Sequence, residues 1–113
     1  MSQSKELVAA SSTPMVLSIL NRGESYGYAI IQELRDLSDS EIQWTDGMLY
    51  PVLRRLEKQG FIRSDWRVGD SGKRRRYYRI EKSGSEQLQK HKQQWNMTHA
   101  VMVKLWEGMP CSI

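Results

Sequence analysis

Cysteine is nearly absent: Cys111 is the single thiol in 113 residues. That excludes an internal disulfide and any zinc site built on cysteine pairs, and it fits a reducing compartment. No apolar run approaches the ~18 residues of a membrane-spanning helix, and no charged-then-apolar leader is present. Neither a span nor a signal peptide is predicted, so no membrane partner is expected and a cytoplasmic location is. Catalytic constellations are missing as well. There is no supported Ser-His-Asp set, no glycine-rich phosphate loop and no acidic cluster for Mg²⁺, and Gly69-Asp70-Ser71-Gly72 reads as a turn. No catalytic residue, cofactor or metal is therefore expected. With 13.2 kDa, 39% hydrophobic residues and four Trp, the chain can bury one modest core and not a second.

What is present is concentrated charge. From Trp44 to Arg79 there are ten Lys/Arg against four Asp/Glu, a net of +6. The whole chain is +4, which leaves −2 for the rest. A positive block on an otherwise slightly acidic chain is the footprint of a polyanion binder, because each cation that neutralises a phosphate releases condensed counterions. A solvated hairpin whose Arg stems cover apolar surface is the competing reading of the charge alone.

The same stretch has a strong local pattern. At helical spacing Leu49, Val52, Leu53 and Leu56 share one side, while Gly47, Pro51, Arg54 and Lys58 share the other. Thr45 is placed to cap this helix, Pro51 lies inside it, and Gly60 ends it in the left-handed conformation. Phe61-Ile62 starts an extended run, Gly69 to Gly72 turns it, and Lys73 to Ile80 returns. Period-2 alternation puts Ile62, Ser64 and Trp66 on one hairpin face, and Arg76, Tyr78 and Ile80 on one face of the returning strand.

Upstream, Thr13-Pro14 is a good helix start, with Val16, Leu17, Ile19 and Leu20 as its apolar side before Asn21-Arg22-Gly23. A start near Ser4 is the alternative, and it places Pro14 inside the helix. Ser25 is expected to cap a second helix that buries Ala29, Ile30, Leu34 and Leu37. Ile42 to Trp44 is a candidate short strand. Downstream, Ser83 with Glu86 has capping-box spacing and opens a last helix to about Gly108. Leu88, Lys92, Trp95, His99, Met102, Trp106 and Met109 form a heptad-like stripe along it, and swapping in the neighbours His91, Thr98 and Leu105 gives an equally good one; a small core has little room to cover either.

The predicted fold is mainly α with a small β-hairpin: a winged helix-turn-helix over 1–80 and a C-terminal dimerisation helix and tail over 81–113. The residues go further. Gly27-Tyr28, then Gly47-Met48-Leu49-Tyr50-Pro51 with Leu53, Arg55, Leu56, Glu57, Gly60 and Ile62, then Trp66, Arg75, Tyr77-Tyr78, Ile80 and Gly84, resemble the PadR family of bacterial transcriptional repressors. The resemblance spans roughly Met15 to Gly84. It implies a homodimer that binds double-stranded DNA at a palindromic operator and is released by a small ligand or stress signal. In some of the short members that resemble this chain in length, a Trp from each subunit stacks on planar aromatic compounds at the dimer interface, and Trp95 occupies the matching place. Ile80-Glu81 departs from the family's usual Leu-Thr, which leaves Ser83 as the candidate cap.

The expected DNA-contact set is Thr45, Gly47, Tyr50, Arg54 and Lys58 on the third helix, with Lys73, Arg74 and Arg75 on the wing. Arg76, Tyr78 and Trp66 are expected to be structural. Trp95, His91 and His99 form the ligand candidate, with a basic lining from Lys92. No carboxylate or Cys is placed to complete a metal site with the two histidines, so they read as interfacial. A winged module that binds protein or RNA without an operator is the alternative function.

Overall fold

The computed structural model describes residues 5–108, with side chains from Ala10 onward. The elements in chain order are α1 (Lys5–Asn21), β1 (Ser25–Tyr26), α2 (Gly27–Leu37), α3 (Asp46–Lys58), β2 (Ile62–Val68), β3 (Arg74–Ile80) and α4 (Lys82–Glu107). The three strands form one antiparallel sheet in the order β1-β3-β2. A mainly helical fold with a small antiparallel sheet is thus what the sequence predicts.

The core draws on every layer. Val16, Leu17, Ile19 and Leu20 of α1 meet Ile30, Ile31 and Leu34 of α2 and Leu49, Val52, Leu53 and Leu56 of α3. Ile62 and Tyr78 close it from the sheet, and Leu88 from α4. Each such side chain contributes about 1.5–3 kcal/mol when fully buried. The α3 stripe is buried as its spacing predicts, and Gly47, Pro51, Arg54 and Lys58 are all exposed. Pro51 is tolerated because the carbonyl it leaves without a helical partner belongs to Gly47, on that open side. Gly60 sits at φ +82 just past the helix and turns the chain into β2.

Five expectations are corrected. Of the two starts weighed for the first helix, the structure has the early one, since α1 runs through Pro14. Thr13 caps nothing there, and its hydroxyl accepts a 2.6 Å hydrogen bond from Arg55 Nη2, tying α1 to α3. Ser25 does not cap α2. With Tyr26 it forms β1, paired with Tyr78 and Tyr77, and the Tyr26 and Tyr77 rings meet edge-on at 5.3 Å. Because β1 takes the open edge of β3, Ile42 to Trp44 is no strand, and Trp44 is buried in the core ahead of α3. Leu37 is exposed, at 65%, while Ile31 takes the buried place; Leu37 is the last residue of α2, beyond the core contact.

The fifth correction concerns the entry to α4. The helix begins at Lys82 with Glu81 as its cap residue, so Ser83 opens no capping box. The Glu81 N–H donates to Phe61 O at 2.9 Å, carrying the strand pairing straight into the first turn. Ser83 Oγ instead donates to Gly60 O at 2.7 Å. Met109 of the predicted stripe lies outside the described residues. Beyond Leu88 the helix runs past the core, which gives the molecule dimensions of 59 × 30 × 21 Å. No helix among the described residues is long and apolar enough to cross a membrane.

Candidate nucleic-acid interface

The sequence of α3 dictates a helix with one face anchored and one free. Thr45 is its N-terminal cap residue by backbone conformation, and its carbonyl accepts from Met48 and Leu49 N–H at 3.0 Å each. The Thr45 hydroxyl makes no capping bond. It is exposed, beside exposed Gly47, with exposed Arg54 and Lys58 about two and a half and three and a half turns farther along. Tyr50 lies at the flank, its ring running over the first turn of α2. A Cβ on Gly27 would stand 2.6 Å from the Tyr50 hydroxyl, so the glycine makes room for it.

The hairpin register sets the second half of the interface. Ile62 pairs with Ile80, Ser64 with Tyr78, Trp66 with Arg76 and Val68 with Arg74. Those side chains share the sheet face that meets α3, while Arg75, Tyr77 and Arg79 share the other. Gly72 at φ +80 completes the tip, and the Gly69 N–H donates to Lys73 O at 2.9 Å. Arg74 stacks over Trp66, with its guanidinium carbon 5.1 Å from the ring centroid, and Arg75 stacks over Tyr26 at 4.5 Å. Arg76 is held harder. Its Nε donates to Ser64 Oγ at 2.8 Å, Ser64 Oγ donates to Glu57 Oε2 at 2.7 Å, and Arg76 Nη2 lies 3.4 Å from Glu57 Oε1.

On the far face, Arg67 makes a bidentate pair with Glu24 at 2.7 and 2.8 Å and stacks over Tyr77 at 4.8 Å. The hydrogen bond from Arg67 holds the Glu24 carboxyl below its ordinary range, and the same bond raises Arg67. The pair therefore ties the turn before β1 to the wing above the usual carboxylate pKa and releases it as the pH falls. Burial raises the Tyr78 hydroxyl, against the nearby Arg76 charge.

Between α3 and the wing lies a groove of about 510 Å³. Of the predicted contact residues it brings together Tyr50, Arg54, Arg74 and Arg75. Thr45, Gly47, Lys58 and Lys73 stand outside its lining on the exposed surface. Tyr28 also lines it, exposed at the start of α2, and is absent from the predicted set. The Gly27-Tyr28 dipeptide was the available signal.

A second groove, of about 660 Å³, separates α1 from α4. It is lined by Met15 and Ile19, by exposed Leu37, and by His91, Lys92 and Trp95. His99 does not line it, so the structure gathers two of the three ligand candidates and leaves the third farther along the helix.

A third helix with a free basic face, followed by a basic two-stranded wing, defines a winged helix-turn-helix DNA-binding protein. The family model described as "Transcriptional regulator PadR-like family" matches residues 16–90. The chain belongs to this family, and it is a DNA-binding transcriptional regulator rather than an enzyme. It is 38% identical to a PadR family transcriptional regulator from Eggerthella lenta, over 92% of this chain and 88% of that one, with a TM-score of 0.79. A transcriptional regulator from Clostridium thermocellum is 33% identical over 88% of this chain and 97% of that one, with a TM-score of 0.80. The transcriptional regulator YqjI of Escherichia coli K12 is 28% identical over 74% of this chain, which spans 38% of that protein.

Proposed function

We propose that the chain is a cytoplasmic homodimeric repressor that binds a palindromic operator and is released by a planar aromatic effector. The carrying observation is that the open face of α3 and the basic face of the wing border one groove, so both can engage a single duplex. In this reading residues 1–80 bind DNA and residues 81–113 supply the dimer contact. Thr45, Gly47, Tyr50, Arg54 and Lys58 enter or border the major groove, and Lys73, Arg74 and Arg75 meet the backbone or the minor groove alongside.

The test is selection of bound fragments from a random DNA pool. A dimeric operator binder enriches a palindrome with half-sites about one helical turn apart. A pool without such enrichment favours a module for protein or RNA. With the operator in hand, Lys73→Ala combined with Arg74→Ala should weaken binding across all sequences. The slope of log K against log salt should flatten by about 0.9 per lost phosphate contact. An unchanged slope removes the wing from the interface. Arg54→Ala should relax preference at one base pair, at about 1–3 kcal/mol if it reads a base edge. Uniform weakening would reduce Arg54 to a phosphate contact.

Support for the effector is the position of Trp95, 67% exposed, on the groove with His91 and Lys92. An indole offers a flat apolar platform, and the basic neighbours favour an anionic aromatic over a cationic dye. DNA affinity falls by linkage if the guest prefers the DNA-incompetent spacing of the two recognition helices. A phenolic acid titrated against tryptophan fluorescence should bind wild type more tightly than Trp95→Ala and lower operator affinity in parallel. Equal binding to both proteins leaves Trp95 as a packing residue.

A further inference from the structure

Trp66 is large and apolar, yet it stands 54% exposed on the wing, outside the core. A tryptophan placed for burial alone would not be left half in water. Its surroundings are cationic: Arg76 is its cross-strand partner, 5.8 Å from the ring centroid, and Arg74 lies diagonally across at 5.1 Å. The two arginines differ in what else they touch. Arg76 is fastened to Ser64 and, through it and directly, to Glu57 in the last turns of α3. The Arg74 guanidinium has no hydrogen bond or ion pair among the described residues, so the indole face is its contact. The connection therefore runs from the recognition helix through Glu57, Ser64 and Arg76 to Trp66, and from Trp66 to Arg74 near the tip.

We propose that Trp66 is a positioning residue for DNA binding: its exposed indole, registered against α3 through Arg76, Ser64 and Glu57, holds the Arg74 guanidinium in place for the phosphate backbone. The role rests on the operator-binding reading. A free arginine side chain samples many rotamers and must surrender them on contact, and stacking on a fixed aromatic ring restricts that freedom in advance. The stacked face leaves the guanidinium N–H groups at its rim free, so a phosphate can accept from them while the indole stays underneath. Glu57 is the one carboxylate lining the groove, and its bonds to Ser64 and Arg76 fix how far the wing stands from α3.

The experiment is a double-mutant cycle on the full chain with the selected operator. It compares wild type, Trp66→Ala, Arg74→Ala and the double variant, with Trp66→Phe as the conservative change. Thermal melts confirm that each variant is folded at the binding temperature. Trp66→Ala should weaken the operator complex by about two- to fivefold, the range of an exposed cation–π contact. In the Arg74→Ala background the same change should have no further effect. Trp66→Phe should recover most of the loss. In the DNA-free protein the Arg74 Hδ resonances should lie upfield in the indole ring current and return to their ordinary position in Trp66→Ala. Additive losses in a wild type that does bind would overturn this role alone, because Trp66 would then act on DNA or on the fold without Arg74. Missing ring-current shifts would overturn it as well. A wild type that enriches no duplex overturns the operator reading, and this role with it.

Discussion

A chain ending at Lys90 is expected to sediment as a monomer and to lose about 10²–10⁴-fold in affinity for a palindromic operator. The cut keeps Leu88, the α4 side chain that closes the core, and Gly84 and Ser83, which dock the helix on the Phe61 turn. It removes Trp95, Met97, Val101, Met102, Val103, Leu105 and Trp106, all exposed in the single chain. A monomer rarely leaves so many large apolar side chains in water on one element. Two indoles, at roughly 150–250 Å² each when buried, supply a large share of the ~800 Å² per partner in a standard interface. Once the partner is lost, each half-site must be bound alone, and the second binding event no longer benefits from the high effective concentration of a tethered domain. The melting midpoint should also cease to depend on protein concentration. Dimerisation that persists at micromolar concentration would place the contact on the α1 side of the molecule.

Much of the binding half was legible because it is written in short-range periods. The α3 stripe, the Gly60 turn and the shared faces of Ile62, Ser64 and Trp66 and of Arg76, Tyr78 and Ile80 follow from spacings of 3.6 and 2 with glycine at the breaks, whereas the register that pairs Ile62 with Ile80 is set by the tip. The features that escaped depend on contacts far apart in the chain. β1 is two residues long and exists because Tyr77 and Tyr78 offer a free edge, which no local pattern around Ser25 reveals. Trp44 and Ile42 look like a strand by composition, but with that edge occupied the indole goes into the core. Pro14 was a sound helix start in isolation. It lies inside α1 because the buried run from Val16 to Leu20 and the Thr13–Arg55 bond hold the helix through it. At the interface, charge density marked Arg54 and Arg74, whereas the Glu57–Ser64–Arg76 linkage needed the angle between helix and sheet.

Gly84→Ala should destabilise the fold by about 3 kcal/mol or more, at the upper end of what overpacking costs. A Cβ at this buried position would collide with the Phe61 carbonyl oxygen, and it would stand 2.8 Å from Ile80 Cγ1 and 3.0 Å from the Phe61 carbonyl carbon. Side chains can rotate away from such a contact, but the Phe61 carbonyl is backbone and already accepts the Glu81 N–H. Relief requires the first turn of α4 to lift from the β2 turn, which loosens Leu88 in the core and the Ser83–Gly60 bond together. The same movement would shift the exposed half of α4, so the proposed dimer should weaken along with the fold. Gly47→Ala is the matched control. Gly47 is helical and exposed, and its nearest contact for a Cβ is Thr45 Oγ1 at an ordinary 3.7 Å, so alanine should stabilise the protein by about 0.5–1 kcal/mol. Urea midpoints of the three proteins at equal concentration decide it. A Gly84→Ala midpoint within error of wild type would mean that α4 docks more loosely than the Phe61 contact implies.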